Sequence, residues 1–279
     1  PPIFGQMSLT IFMYCWLAMS GKFGEAKILS IKNQEKKYFI EAQLVFFELD
    51  RLGRIWVADK NNHIHLYDQD GNKNYSFTDN RLGKITSIDT SNPLKVMVFY
   101  ADNGMLLFLD NTLKEIEHIK LSDSGKFLNV SAAALSNDHQ IWIYDWQWKR
   151  IFKINASFEI LKETKIFHDL GLVDFKPEML TEKSNVLLAA ERNNGFVLFD
   201  NLGQFKSRIL SRDMINFQFE GNKILVQNKK GMAIQALDPP TQFNLPLPKG
   251  LSAEPYQQIR LAKDRWYIAY ENGLNWLAK

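Results

Sequence analysis

Residues 55–68 read Ile-Trp-Val-Ala-Asp-Lys-Asn-Asn-His-Ile-His-Leu-Tyr-Asp, and this stretch decides the fold. Two apolar strands flank a polar tip, and the turn residues Asp70 and Gly71 follow the second strand. Short apolar runs bounded by Asn, Asp and Gly are typical of β-hairpins. The stretch therefore predicts a hairpin with its tip near residues 60–62.

The same phrase of strand, polar tip and strand occurs six times. After the copy at 55–58, the first strand of each hairpin recurs at residues 95–100, 140–144, 185–190, 223–227 and 265–270. A strand-built period of roughly 40 residues is typical of a β-propeller. The sequence thus predicts an all-β fold, a six-bladed β-propeller of four-stranded antiparallel blades.

The last copy predicts how the ring closes. Residues 257–277 supply three strands of a blade, so one strand is missing. Residues 26–31 and 37–40 are the candidates for an N-terminal strand that completes this blade, because closure removes an exposed sheet edge. The alternative is a seventh blade built from the first 43 residues.

Composition limits the classes of function. The chain has 279 residues, 46% hydrophobic and 23% charged, and residues 21–279 are predicted to form a single domain. A formal net charge of +3 without a long Lys/Arg run argues against a nucleic-acid partner. Cys15 is the one cysteine, which excludes an intramolecular disulfide and a cysteine-based metal site.

The N-terminus differs from the repeats. Residues 8–20 form an apolar run that matches the central region of a signal peptide and is too short to span a bilayer. Residues 1–20 are therefore interpreted as a signal peptide or an N-terminal extension, and we expect export to the periplasm or cell envelope. The alternative is a buried N-terminal strand or helix.

Acidic or amide residues stand at or just after the end of the second strand in each blade. The six are Asp59, Asp102, Asp145, Glu191, Asn228 and Glu271. Because these hairpins share one face of a propeller, a rim of carboxylates could bind a cation or a basic segment of a partner. The alternative is that these side chains cap the turns.

The third tip departs most from the pattern. It carries Trp146 and Trp148, with Arg150 and Arg192 expected nearby. Exposed aromatic and arginine side chains suit contact with a protein or glycan partner. The alternative is that both indoles pack against the neighbouring blade.

Metal and catalytic motifs give weaker signals. His63 and His65 face the same side of one strand, but spacing identifies no third ligand, so no metal site and no cofactor are predicted. Nucleophile-elbow, phosphate-loop and zinc-protease motifs are absent from the sequence. Glu48 and Asp89, near innermost strands, are the acid candidates at a central channel.

Residues 52–71 resemble an NHL-type repeat, with its pattern G-x-I/L-W/Y-V-A-D-x-x-N-x-x-I-x-x-Y/F-D-x-x-G. The tips at 102–104 and 193–195 keep the pattern loosely. Residues 83–95 are similar to a segment of exported bacterial propellers of unassigned role. These resemblances imply a non-enzymatic binding or scaffold protein.

An enzymatic alternative comes from a second resemblance. In blade count the chain is also similar to gluconolactonase-like hydrolases, which hold a divalent ion in the central channel. That resemblance implies Glu48 as the first ligand and Asn216 as a further one.

Overall fold

The computed structural model describes residues 39–229, 231–248, 251, 255–262 and 265–278. Within them, twenty-four strands form six four-stranded antiparallel sheets in a ring. The chain is therefore a six-bladed β-propeller, as the repeat predicts. In the described part of the chain, no helix is long and apolar enough to cross a membrane.

The first three blades follow one another in chain order. Blade 1 contains β2 (Leu44–Leu49), β3 (Ile55–Asp59), β4 (Ile64–Tyr67) and β5 (Lys73–Phe77). Blade 2 contains β6 (Ser87–Asp89), β7 (Val96–Tyr100), β8 (Met105–Leu109) and β9 (Glu115–Lys120). Blade 3 contains β10 (Val130–Leu135), β11 (Ile141–Asp145), β12 (Arg150–Ile154) and β13 (Ile160–Glu163).

The remaining blades repeat this order. Blade 4 contains β14 (Met179–Lys183), β15 (Val186–Glu191), β16 (Gly195–Asp200) and β17 (Phe205–Ile209). Blade 5 contains β18 (Met214–Phe219), β19 (Lys223–Asn228), β20 (Gly231–Leu237) and β21 (Pro240–Leu245). Blade 6 combines β22 (Tyr256–Ala262), β23 (Arg265–Tyr270) and β24 (Gly273–Ala278) with the N-terminal strand β1 (Ile40–Glu41).

Ring closure occurs as the strand count predicts. β1 pairs antiparallel with β24, with Ile40 opposite Leu274 and Glu41 opposite Gly273. Both Ile40 and Leu274 are buried among side chains of blades 1 and 6. The strand lies at the end of the 37–40 candidate, whereas the 26–31 candidate and the predicted signal peptide lie outside the described residues.

Apolar side chains fill the spaces between neighbouring blades. The central strands β3, β7, β11 and β15 are almost continuously buried, because each packs against a neighbouring blade on both faces. Between blades 3 and 4, Phe167 of the 3-10 helix Phe167–Leu170 lies against the rings of Tyr144 and Phe199, with centroids 5.1 and 6.0 Å apart. Each fully buried ring of this kind stabilises the fold by about 2–3 kcal/mol.

Polar side chains join the blades near the axis. Asp89 Oδ2 accepts the Leu135 N–H at 2.8 Å, which ties blade 2 to blade 3. Gln258 both accepts the Phe47 N–H at 3.0 Å and donates to the Phe47 carbonyl at 2.8 Å, which ties blade 6 to blade 1. The Asp89 carboxylate, a candidate acid of the central channel, thus accepts a backbone hydrogen bond from the neighbouring blade.

Candidate functional site

One face of the ring carries the hairpins between the second and third strands of the blades together with the connections from each blade to the next. We call this surface the tip face. Hydrogen bonds join the two kinds of segment: Asn62 donates to the Gly83 carbonyl at 2.8 Å and Asn103 to the Leu82 carbonyl at 2.9 Å. Every partner-binding residue predicted from the acidic rim or the third tip lies at or beside one of these hairpins.

The acidic residues of the rim are mostly committed to the turns. Asp145 is fully buried, and its Oδ1 accepts the backbone N–H groups of Gln147 and Trp148 at 2.9 and 3.2 Å. Glu191 accepts the Lys176 N–H at 2.7 Å and an Asn194 amide hydrogen at 2.8 Å. The alternative of turn capping accounts for these two carboxylates, because side-chain acceptors that bond to backbone N–H groups fix a turn.

The other rim carboxylates differ from one another. Asp102 is exposed in the short 3-10 helix Ala101–Asn103. Glu271 pairs with Lys60 across blades 6 and 1 at 2.8 Å, and this hydrogen bond lowers the pKa of Glu271 below its usual value. The carboxylates of the rim are therefore neither equivalent nor all free.

The tip of blade 3 exposes two indoles. Trp146 and Trp148 are 52% and 53% exposed, while Trp142 on the preceding strand is fully buried. Leu128, in the connection from blade 2, is 61% exposed and lies in sequence between Lys126 and Asn129, which both bond to this tip. Because about half of each indole is exposed, the two side chains are not buried against a neighbouring blade.

Hydrogen bonds hold this tip in one conformation. Trp148 Nε1 donates to the Lys126 carbonyl at 3.1 Å, and the Trp146 N–H donates to the Asn129 carbonyl at 3.1 Å. The Asn129 side-chain amide donates a hydrogen bond to Gln147 Oε1 at 2.7 Å. We call residues 146–148 with Leu128 the tryptophan tip, a surface that exposes three large apolar side chains and is fixed by these hydrogen bonds.

The two predicted arginines lie on different blades. Arg150 begins β12 and its Nη1 lies 2.8 Å from Glu163 of the same blade. Arg192, 62% exposed at the blade 4 tip, places its Nε 3.2 Å from Glu178. Arg150 thus belongs to the hairpin of the tryptophan tip, whereas Arg192 is paired within the next blade.

The central-channel candidates are joined to an arginine. Arg260 donates to Glu48 through Nη2 at 2.6 Å and Nε at 3.2 Å, and Nη1 donates to Asn216 Oδ1 at 2.8 Å. A guanidinium therefore occupies the position between the two side chains implied as ion ligands by the gluconolactonase-like resemblance. Sequence reasoning missed this contact because 212 positions separate Arg260 from Glu48.

The sequence predicted two of the three side chains that form a cluster on blade 1. His63 and His65 lie on one side of the hairpin, as predicted, and the Asp59 carboxylate lies between them. Burial acts to raise the pKa of Asp59, but hydrogen bonds from the His63 backbone and the His65 ring outweigh it and lower that pKa. The signal that could have found Asp59 is hairpin register, since a three-residue tip places residue 59 opposite residue 63.

Comparisons with known proteins support the fold. No protein-family model matches the chain, and no curated protein matches it. Among solved structures, it resembles the extracellular domain of a putative hybrid two-component system from B. thetaiotaomicron (TM-score 0.56, 14% identity, 84% of this chain and 33% of that one). It also resembles virginiamycin B lyase from Staphylococcus aureus, with a TM-score of 0.55 and 15% identity over 84% of this chain and 79% of that one. A third similar structure is the Pan2 WD40 domain from Neurospora crassa, with a TM-score of 0.56 and 11% identity over 81% of this chain and 72% of that one.

The chain spans only a third of the length of the B. thetaiotaomicron protein that it matches. These structures are a WD40 domain, an extracellular domain and a lyase at 11–15% identity, so the likeness shows the propeller fold alone.

Proposed function

We propose that this six-bladed propeller is a non-enzymatic binding or scaffold protein of the bacterial cell envelope that contacts a protein or glycan partner through its tip face. The observation that carries the proposal is the pair of half-exposed indoles at the tryptophan tip. Apolar side chains grouped on a surface are typical of interaction sites, and tryptophan is enriched among the residues that dominate binding energy.

Rigidity of the tip supports the same conclusion. The buried Asp145 carboxylate and the Asn129 contacts fix the turn before any partner arrives. A surface that is already ordered loses less conformational entropy on binding, so more of the contact energy remains as affinity. Arg150 begins the returning strand of the same hairpin, where its guanidinium pairs with Glu163.

The envelope location rests on two observations. The fold resembles an extracellular bacterial domain, and the apolar run at residues 8–20 is typical of a signal peptide. Fractionation of cells producing the full chain tests it: release with the periplasmic or envelope fraction is expected, and retention with cytoplasmic markers would overturn the location.

Affinity capture from cell-envelope extract tests the binding role. The unmodified protein is compared with the double variant Trp146→Ala/Trp148→Ala, and with Phe243→Ala, which removes a 57% exposed aromatic ring from the outer strand β21. The tip variant should lose its specific partner while the Phe243 variant keeps it. Treatment of the extract with protease or with periodate then separates a protein partner from a glycan. Equal capture by all three proteins would contradict the role of the tip.

A further inference from the structure

Three side chains of the blade 1 hairpin converge on one point of the tip face. Asp59 ends β3, His63 precedes β4 and His65 lies within it. Asp59 Oδ2 lies 3.3 Å from His63 Nδ1 and 3.1 Å from His65 Nε2. All three donor atoms lie within 4.8 Å of one another, the one such group of His, Cys, Asp or Glu found among the residues that the structure describes.

Backbone geometry places these atoms before any ligand is considered. The Asp59 N–H donates to the His63 carbonyl at 3.0 Å, which sets the two residues opposite each other. Asp59 Oδ1 accepts the Asn61 and His63 N–H groups, both at 2.9 Å. These two bonds fix the carboxylate, so its second oxygen faces the imidazoles. Residues two apart in a strand share a face, and His65 therefore stands beside His63.

We propose that Asp59, His63 and His65 form a binding site for a divalent transition-metal ion of the zinc class. Zinc–nitrogen and zinc–oxygen bonds of about 2.0–2.2 Å at tetrahedral angles place neighbouring ligand atoms about 3.3–3.5 Å apart. The two measured separations from Asp59 Oδ2 already lie close to that spacing. The two imidazole nitrogens lie within 4.8 Å of each other, and His63 is the most exposed of the three side chains.

A second hydrogen bond prepares His65 for this role. Its Nδ1 lies 2.8 Å from Ser76 Oγ on the neighbouring strand β5. When a metal ion replaces the proton that Nε2 shares with Asp59, Nδ1 carries the remaining ring proton and donates it to Ser76, and the lone pair of Nε2 points to the ion. Metal-bound histidines typically donate their other ring N–H in this way, which fixes both tautomer and ring orientation.

Exposure defines the kind of site. The Asp59 and His65 side chains are 10% and 13% exposed, whereas His63 is 35% exposed. The group is thus shielded on one side and open to water on the other. Three protein ligands with an open fourth position are the arrangement in which zinc keeps a water molecule or accepts a ligand from another molecule. Calcium and magnesium prefer oxygen ligands, so this donor set selects against them.

Zinc titration of the full chain tests the proposal by competition with a chromophoric chelator. The unmodified protein should bind one Zn²⁺, and Co²⁺ in its place should give a visible absorption band. His65→Ala and His63→Ala should each weaken binding by about 100-fold, and Ser76→Ala by about tenfold, as loss of an outer-shell partner does. His118→Ala is the matched control, since His118 also pairs with a carboxylate, Glu115, at 2.6 Å on an exposed strand.

Zinc affinity of His118→Ala should equal that of the unmodified protein. Thermal unfolding without metal confirms that each variant folds, and His63→Ala, at the most exposed ligand, serves if His65→Ala does not. The proposal is overturned if the unmodified protein binds Zn²⁺ no more tightly than His63→Ala, or if His118→Ala loses affinity equally. Partner capture through the tryptophan tip is measured separately, so the two proposals fail independently.

Discussion

Arg260 of blade 6 and Glu48 of blade 1 form a two-pronged ion pair, with donor–acceptor distances of 2.6 and 3.2 Å. The Arg260 side chain is 8% exposed and that of Glu48 28%. The pair bridges the seam at which the last described blade meets the first. It therefore ties ring closure to an interaction near the axis, in addition to the pairing of β1 with β24.

Removal of the guanidinium should destabilise the ring. Arg260→Met keeps the aliphatic length but leaves the Glu48 carboxylate without its two hydrogen bonds from Arg260, at a cost of about 1–3 kcal/mol in the free energy of unfolding. Urea denaturation of the variant and the unmodified protein measures this difference in the free energy of unfolding. The control is Arg265→Met in the same blade, whose guanidinium lies over the Trp276 ring at 4.3 Å and whose loss should cost less than about 1 kcal/mol. Equal costs for the two variants would contradict the role of the pair.

Calcium should leave the thermal stability of the unmodified protein unchanged. The oxygens of Glu48 and Asn216 accept hydrogen bonds from Arg260, so they are not free to coordinate an ion at the axis. An ion that binds only the folded state would raise the melting temperature. A clear upward shift in a calcium titration would favour the gluconolactonase-like alternative.

Loss of the closing strand's buried side chain should weaken the fold. Ile40→Ala removes a 2% exposed side chain from the contact between blades 1 and 6 and should cost about 2–4 kcal/mol. Val45→Ala, at a 43% exposed position of β2, should cost less than about 1 kcal/mol. Chemical denaturation of both variants checks the difference. A cost for Ile40→Ala as small as that of Val45→Ala would show that β1 does not close the ring.

The contribution of Asp138 should depend on pH. Burial acts to raise its pKa, but hydrogen bonds from Lys153 and Ser136 outweigh it and hold the pKa below its ordinary value of 3.8. A lowered pKa means that the ionised carboxylate stabilises the fold above pH 3.8 and that this stability is lost as the pH falls through the folded-state pKa.

Asp138→Asn should therefore cost about 1 kcal/mol near neutral pH, a value kept small because the Asp138 side chain is 61% exposed. The cost should shrink as the pH falls below 3.8. Denaturation curves of both proteins at several pH values measure this difference in the free energy of unfolding. A difference between the two proteins that stays constant down to strongly acidic pH would contradict the assignment.

Local patterns account for the part of this structure that the sequence predicts. The blades follow from alternating apolar residues and from turn residues at fixed intervals, both of which act over a few positions. Trp142 in the core and the exposed indoles of Trp146 and Trp148 follow from where the strand ends. Ring closure follows from counting strands.

Ring closure and strand register produce the contacts that the sequence did not predict. Nothing near Glu48 indicates Arg260, because the two meet only once the ring closes. The position of Asp59 beside His63 and His65 depends on hairpin register rather than on spacing alone. The carboxylate partners of Arg150 and Arg192, the two arginines expected near the indoles, were not predicted either: they are Glu163 and Glu178.

Site-specific photo-crosslinking shows which surface of the propeller contacts the partner. A photoreactive phenylalanine analogue replaces Trp148 at the tryptophan tip in one protein and Phe243 on the outer strand β21 in another. After irradiation in intact cells, we expect a discrete crosslinked adduct from position 148 and none from position 243. The same adducts from both positions, or an adduct from position 243 alone, would contradict the claim that this protein binds its partner through the tip of blade 3.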